Sequence, residues 1–221
     1  VPEITKPESK PLELKLLDLK ERIVDCRHCP RLRAYHGKNR QRYPDYWNRP
    51  VPASGNHQGL TIVGLAPGLH GANKTGIPFT GDASGELLFK CLQTLGIRDQ
   101  VQITNAVKCA PPENLPLSSE RKNCRKFFRQ EIAAIKASST PRVFFCLGRI
   151  AHEETVRALA LPQRAYPFAH HEIHAPGDDV WIVDTYHCSR YNINTGRITE
   201  SMFLSALQSA AEIARLSYVP V

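Results

Sequence analysis

The sequence predicts an α/β protein of one domain built on a parallel sheet, and three observations carry that reading. Short apolar runs at 60–65, 101–107, 142–147 and 181–185 have the length of strands. Segments of helical length separate them, and strand–helix–strand alternation implies right-handed crossovers and parallel strands. The chain has 221 residues, 42% of them hydrophobic, which is enough for one full core. No internal repeat, low-complexity tract or obvious linker interrupts it.

The polar stretch 1–10 is expected to be a flexible tail, leaving 11–221 as the domain. A first helix over 11–25 follows from Leu12, Leu16, Leu19 and Ile23, which fall on one stripe. It delivers the chain to Cys26-Arg27-His28-Cys29-Pro30. The segment 31–59 is dense in Arg, Tyr, Pro and Trp and lacks periodicity, so an irregular excursion packed by Tyr43, Tyr46 and Trp47 is expected. After the strand at 60–65 comes a Gly-rich loop, then a helix over 84–95 with Ser84 as its expected N-cap and Gly96 as its stop. The second strand ends near Asn105. A Pro-rich loop, 109–116, precedes a helix over 118–137. The third strand leads into a helix over 150–159. The fourth ends in Tyr186-His187-Cys188-Ser189, and Thr199 caps a last helix whose Phe203, Leu204, Leu207, Ala211 and Ile213 face mainly inward.

Lys and Arg number 29 against 21 Asp and Glu, a formal charge of +8. That surplus suits a polyanion such as nucleic acid. No apolar run spans a bilayer and no signal-peptide core stands at the start, so a cytoplasmic or nucleoid-associated monomer is expected, with no membrane partner. The seven cysteines do not suggest a disulfide framework. Cys26 and Cys29 form a chelating pair, and Cys109 and Cys124 add two further thiolates. Four thiolates suit either Zn²⁺ or a [4Fe–4S] cluster, and spacing does not separate the two. Cys91 and Cys146 sit in apolar surroundings and are expected in the core.

Three other constellations end at the carboxyl edge of the expected sheet, where α/β proteins bind ligands. The loop from Gly64 to Asp82 carries five glycines and the lone aromatic Phe79. Taken by itself it is an ordinary βα connection whose Phe79 plugs the core. Asn105 at a strand end offers a donor and an acceptor, enough to read an imide edge. His187 could donate a hydrogen bond to a developing anion, and Arg190 and Tyr191 could touch phosphate or enter a base stack. The run His170-His171-Glu172-Ile173-His174 fits a strand-to-turn surface better than a metal site.

Together these pieces resemble the family 5 uracil-DNA glycosylases, iron–sulfur enzymes also termed type B. The match covers Cys26 to about Arg215. Gly64-Leu65-Ala66-Pro67-Gly68 with Phe79-Thr80-Gly81-Asp82 is similar to the family's first motif. Thr104-Asn105-Ala106-Val107-Lys108-Cys109-Ala110-Pro111-Pro112 resembles its central one, and His187 with Ser189, Asn192 and Asn194-Thr195-Gly196-Arg197 its second catalytic one. The resemblance implies a three-layer α/β/α sandwich with a central four-stranded parallel sheet. It implies a structural [4Fe–4S] cluster on Cys26, Cys29, Cys109 and Cys124. It also implies a base flipped out of single- or double-stranded DNA. Phe79 would stack on that base, Asn105 would bond its edge, and His187 would stabilise the uracil anion. Backbone from Gly64 through Ala66 and Pro67 to Gly68 would line the pocket, and the loop with Ser189, Arg190 and Asn192 would wedge the duplex.

Three positions depart from better-known glycosylases. Ala66 stands where they carry a polar residue for water, which leaves Asp82 and Asn73 in the same loop as candidates for that task, with Asn105 a further one; the alternative is that water is barely activated and leaving-group stabilisation dominates. Gly68 replaces a bulky Tyr, so a wide pocket and broad specificity are expected. Cys188 stands where a Pro is usual, freeing the backbone beside His187. No Lys is placed for a Schiff base, so hydrolysis without strand cleavage is expected. The competing expectation is a zinc-ribbon DNA-binding module with no catalysis.

Overall fold

The structure, a computed structural model, describes residues 12–56, 59–136, 141–177 and 179–218. The tail expected over 1–10 lies outside them. In chain order the elements are α1 (Leu12–Val24), α2 (Pro30–Arg42), β1 (Ser54–Gly55), β2 (Leu60–Gly64), α3 (Ala72–Thr75), α4 (Ala83–Thr94) and β3 (Val101–Asn105). Then come α5 (Ser118–Lys136), β4 (Arg142–Leu147), α6 (Arg149–Ala158), β5 (Ile173–Gly177), β6 (Val180–Thr185), α7 (Arg190–Asn194) and α8 (Glu200–Ile213).

The four expected strands pair in parallel in the order β3-β2-β4-β6. Every residue of β2, β3 and β4 is buried, as strands covered on both faces require. The sheet is wider than expected, because β1 and β5 add antiparallel edges to give β1-β3-β2-β4-β6-β5. Neither edge carries a strong signal. β1 has two residues, and β5 holds Pro176 and slips register between His174 and Gly177. A Pro in a strand is confined to an edge of this kind.

Helices cover both faces, which makes the three layers. On one face α4 and α8 bury Leu88, Cys91, Leu92, Phe203, Leu207 and Ala210 against Leu60, Ile62 and Phe145. On the other, α5 and α6 bury Phe128, Ile132, Ala151 and Val156 against Val63, Phe144, Cys146 and Ile182. Cys91 and Cys146 are core residues, as their neighbours in sequence suggest. A third, smaller cluster joins α1 to α5 through Leu19, Ile23, Leu32, Val107 and Phe127, and it surrounds Cys26, Cys29, Cys109 and Cys124.

Two local expectations are corrected. The irregular segment begins with a 13-residue helix, α2. Pro30 starts it favourably at the first turn. It buries only Leu32, His36 and Asn39, so it shows no apolar stripe for a sequence reading to find. The N-cap of α4 is Asp82, whose Oδ1 accepts from Gly85 N at 3.0 Å, and Ser84 lies inside the helix. Thr199 caps α8 as expected, and Gly96 takes the left-handed backbone that ends α4.

Candidate active site and cysteine centre

The chain leaves β2 for its neighbour β3 and later returns to β4 on the other side. The order therefore reverses between β2 and β4, where the carboxyl ends open a crevice. A cavity of about 350 Å³ lies there, lined by Leu65, Ala66, Pro67, Gly68, Ala72, Phe79, Asp82, Ser84, Asn105, Asn114, His187 and Ser189. Residues from four separate parts of the sequence thus meet in one place.

Glycine at 64 is a condition for that meeting. A Cβ there would stand 2.6 Å from the Phe79 ring and collide with Asn105 Oδ1. Phe79 holds a left-handed backbone at φ +58, and its carbonyl presses against Gly85, where any side chain would clash. The ring belongs both to the core and to the cavity wall, with its centroid 6.5 Å from that of His187. Asn105 is only 2% exposed, and its Oδ1 is buried with no hydrogen-bond partner. An unpaired buried acceptor is costly, so its place on a cavity wall points to a ligand donor.

His187 follows β6. Burial lowers its pKa from the usual range, and the carboxylate of Asp82 pulls the other way. The neutral imidazole is therefore favoured near pH 7. Its carbonyl accepts from Asn192 Nδ2 at 2.8 Å, and Ser189 Oγ caps α7 by accepting from Asn192 N at 3.3 Å. Asn192 thus braces the His187 backbone and does not line the cavity. Arg190 faces a neighbouring groove with Glu86, Lys90 and Glu200. Tyr191 is 74% exposed, two residues beyond the cavity-lining Ser189. Cys188 is buried and donates to Ser84 O at 3.4 Å, and burial pushes its thiol up to about 12. It is an inert thiol.

Asn73 is not brought to the cavity. It is fully buried, and its Nδ2 donates to Asn48 Oδ1 at 2.9 Å. Of the residues expected to place water, Asp82 and Asn105 line the cavity and Asn73 does not. The lining residues Ser84 and Asn114 had no motif to announce them. The three histidines of the 170–174 run do not converge. His170 stacks on Tyr186, His171 bonds Ser209 Oγ, and His174 bonds the Pro167 carbonyl.

The four cysteines line a second hollow, together with His28, Leu32, Arg33, Pro50, Val107, Lys108, Glu120, Asn123 and Phe127. Cys124 Sγ accepts from Lys108 N at 3.2 Å, and Asn123 Nδ2 approaches Cys29 Sγ at 3.7 Å. Burial raises the thiol pKa of Cys29 and Cys109 and takes Cys124 up to about 12. Bare thiolates are thus disfavoured, and a bound cation would be needed to hold them. Among the described residues, the trio of ligand atoms found within 4.8 Å of one another is His152, His174 and Asp184, apart from the cysteine hollow. Four thiols lining one hollow are a donor set compatible with an iron–sulfur cluster.

Residues 52–211 match the model of the uracil DNA glycosylase superfamily. The chain belongs to that superfamily. It is 38% identical to a type-5 uracil-DNA glycosylase of Thermus thermophilus, over 88% of this chain and 96% of the relative. It is 39% identical to one of Pyrobaculum aerophilum, over 88% and 91%. A type-4 enzyme of Archaeoglobus fulgidus is 36% identical over 61% of this chain and 60% of its own. Membership among the type-5 glycosylases makes the protein a hydrolase of the N-glycosidic bond, and the zinc-ribbon alternative is not favoured.

Proposed function

We propose that this protein excises uracil, and other deaminated or modified bases, from DNA by hydrolysis. The observation that carries this reading is the convergence of Phe79, Asn105 and His187 on one cavity, with the Asn105 acceptor left unpaired. An imide N–H of a flipped uracil supplies the missing donor, and Phe79 offers it a flat wall. As the glycosidic bond breaks, electrons flow into the base. A neutral His187 donates its N–H to the uracil oxygen that gains charge. Asp82 also lines the cavity, where a carboxylate favours a cationic sugar and orients water toward it. Ala66 supplies no polar group for that water, so leaving-group stabilisation dominates the rate.

Among the described residues no lysine lines the cavity, which supports hydrolysis without a lyase step. Gly68 keeps the wall low and supports a broad base range. Cys26, Cys29, Cys109 and Cys124 hold a [4Fe–4S] cluster that ties the loop after α1 to α5. The adjoining groove of His28, Lys122, Asn123 and Lys126 offers positive charge to phosphates. Tyr191 and Arg190 fill the space that the flipped nucleotide leaves. DNA, single- or double-stranded, is the partner, met by a cytoplasmic monomer.

The test is incubation with oligonucleotides bearing uracil, 5-substituted uracils, hypoxanthine or xanthine, followed by alkali to reveal abasic sites. Release of several bases with no borohydride-trapped adduct is expected, from a brown protein absorbing near 400 nm. Colourless, zinc-loaded protein that binds DNA without excision would overturn the reading. Activity on uracil alone would overturn the broad specificity.

A further inference from the structure

We propose that the buried Lys108–Glu131 ion pair is a positioning device for base recognition. It fixes the Asn105 peptide so that the side-chain amide points into the cavity. The inference rests on Asn105 reading the base, as proposed above. Lys108 is 1% exposed, and its ammonium has three acceptors: Thr104 Oγ1 at 2.7 Å, the Asn105 carbonyl at 2.6 Å and Glu131 Oε2 at 2.6 Å. All three of its hydrogens are engaged, so Lys108 has none to offer a substrate. Its function must be exercised on the groups it holds.

Asn105 ends β3, and that position explains the need. On the β2 side its neighbours are secured, with Ala106 N and Val107 N each 2.9 Å from the Gly64 and Leu65 carbonyls. On the other side β1 pairs only with Gln102 and Ile103. The Asn105 carbonyl thus lies beyond the last strand partner, and the ammonium takes that partner's place. Glu131 anchors the ammonium from α5. Its Oε2 also accepts from Thr104 Oγ1 at 2.9 Å, and its Oε1 from Ala53 N at 3.3 Å. The pair therefore braces β3, the start of β1 and α5 at one point.

The backbone of Lys108 is held as tightly. Its N–H reaches Cys124 Sγ at 3.2 Å, and its carbonyl accepts from Val51 N at 2.7 Å. One residue thus spans the interval between the cysteine hollow and the base cavity. A buried ion pair gains little stability over a well-packed apolar pair, because desolvation of both charges offsets their attraction. Geometry is what this one supplies. An error of about 1 Å at a recognition group costs on the order of 10²-fold in rate, which sets the scale of the effect.

The experiment is single-turnover uracil release by Lys108→Met, Glu131→Gln and the double variant Lys108→Met/Glu131→Leu, each in the wild-type and Asn105→Ala backgrounds. Absorbance near 400 nm and the thermal midpoint of the full chain are recorded alongside. In the wild-type background Lys108→Met is expected to slow release roughly 10- to 100-fold, with DNA affinity changed less than about threefold. In the Asn105→Ala background the same change is expected to cost less than about threefold, because its intermediary is gone. The double variant should recover the thermal midpoint and leave the rate slow, which covers the outcome in which Lys108→Met alone fails to fold. Equal slowing in both backgrounds, or full recovery of rate in the double variant, would overturn the inference. A wild-type rate for Asn105→Ala itself would instead remove the base-reading role on which the inference stands.

Discussion

The base cavity and the cysteine hollow are neighbours in sequence, since Asn105 belongs to one and Cys109 to the other, yet they treat polar atoms in opposite ways. Around the cysteines, Leu32, Pro50, Val107 and Phe127 close the walls, and backbone and amide donors already face two of the sulfurs. In the base cavity a buried acceptor, Asn105 Oδ1, has no partner, and the walls enclose about 350 Å³. A group bound for the life of the protein can be packed tightly and contributes to folding. A ligand that enters and leaves in each turnover needs space and polar atoms held ready, at some cost to stability. On the proposed function the contrast is that between a structural centre and a catalytic one, and experiments that act on one and spare the other sharpen it.

The largest expected effect is on chemistry alone. His187→Ala should slow single-turnover uracil release roughly 10³-fold, with DNA binding, iron content and thermal midpoint retained. An unchanged rate would remove His187 from the reaction. The converse change is Cys109→Ser, which should lose iron and the absorbance near 400 nm and destabilise the fold by roughly 3 kcal/mol in a denaturant titration. If that variant keeps its stability, the cysteine hollow is not structural.

Acid should act on the two regions through different histidines. His36 lies on α2, which walls the cysteine hollow. It is buried with Nε2 unpartnered, and burial, aided by Arg40, lowers its pKa to about 4. In the unfolded chain it titrates near 6.5, so between those values the unfolded state binds the extra proton. Stability is therefore complete above about pH 6.5 and declines toward pH 4 by about 2–3 kcal/mol. Urea midpoints at pH 4.5 and 7.5 measure this, and His36→Leu should flatten the difference.

A smaller effect separates substrates. Gly68 has no left-handed backbone, so no backbone strain opposes a side chain there, but its Cβ would meet Asp82 Oδ2 at 3.2 Å, close enough that the carboxylate must shift slightly. Gly68→Tyr should reduce excision of 5-substituted uracils about tenfold more than that of uracil, as a steric wall does. Equal losses across a base panel would place the pocket boundary elsewhere. The smallest effect is the position of the acid limb of the rate. Burial holds His187 below its usual range, so the limb should fall below about pH 6.5, with full rate above it. Asp82→Asn removes the opposing pull and should move the limb lower still. A rate that instead falls as pH rises through this range would mean that the imidazolium is the working form.

Much of the frame was legible in the residues. The four parallel strands stand where the sequence placed them, because strands covered on both faces are mostly apolar, with polar exceptions such as Gln102, Thr104 and Asp184. α2 was not legible, since a helix that buries three residues of thirteen leaves no stripe. The edge strands escaped for a like reason: β1 is too short for a period, and β5 has one buried residue in five. In the loop after β2, Asp82 and Asn73 are equivalent candidates by residue type. Only folding separated them, by turning Asn73 onto Asn48 and Asp82 toward the cavity. Lys108 stood inside a recognised motif, yet its partner Glu131 is 23 residues away on a helix, beyond any local pattern.

By itself, then, the sequence determined the α/β order, the four cysteines and the chemical types in each motif, because composition and short-range period are local properties. The tertiary structure decided which of those groups share a cavity, which are spent on internal hydrogen bonds, and how the cysteine hollow connects to Asn105 through Lys108. Those outcomes depend on contacts between distant segments. The reversal of strand order between β2 and β4 is what brings Gly64, Asn105 and His187 together.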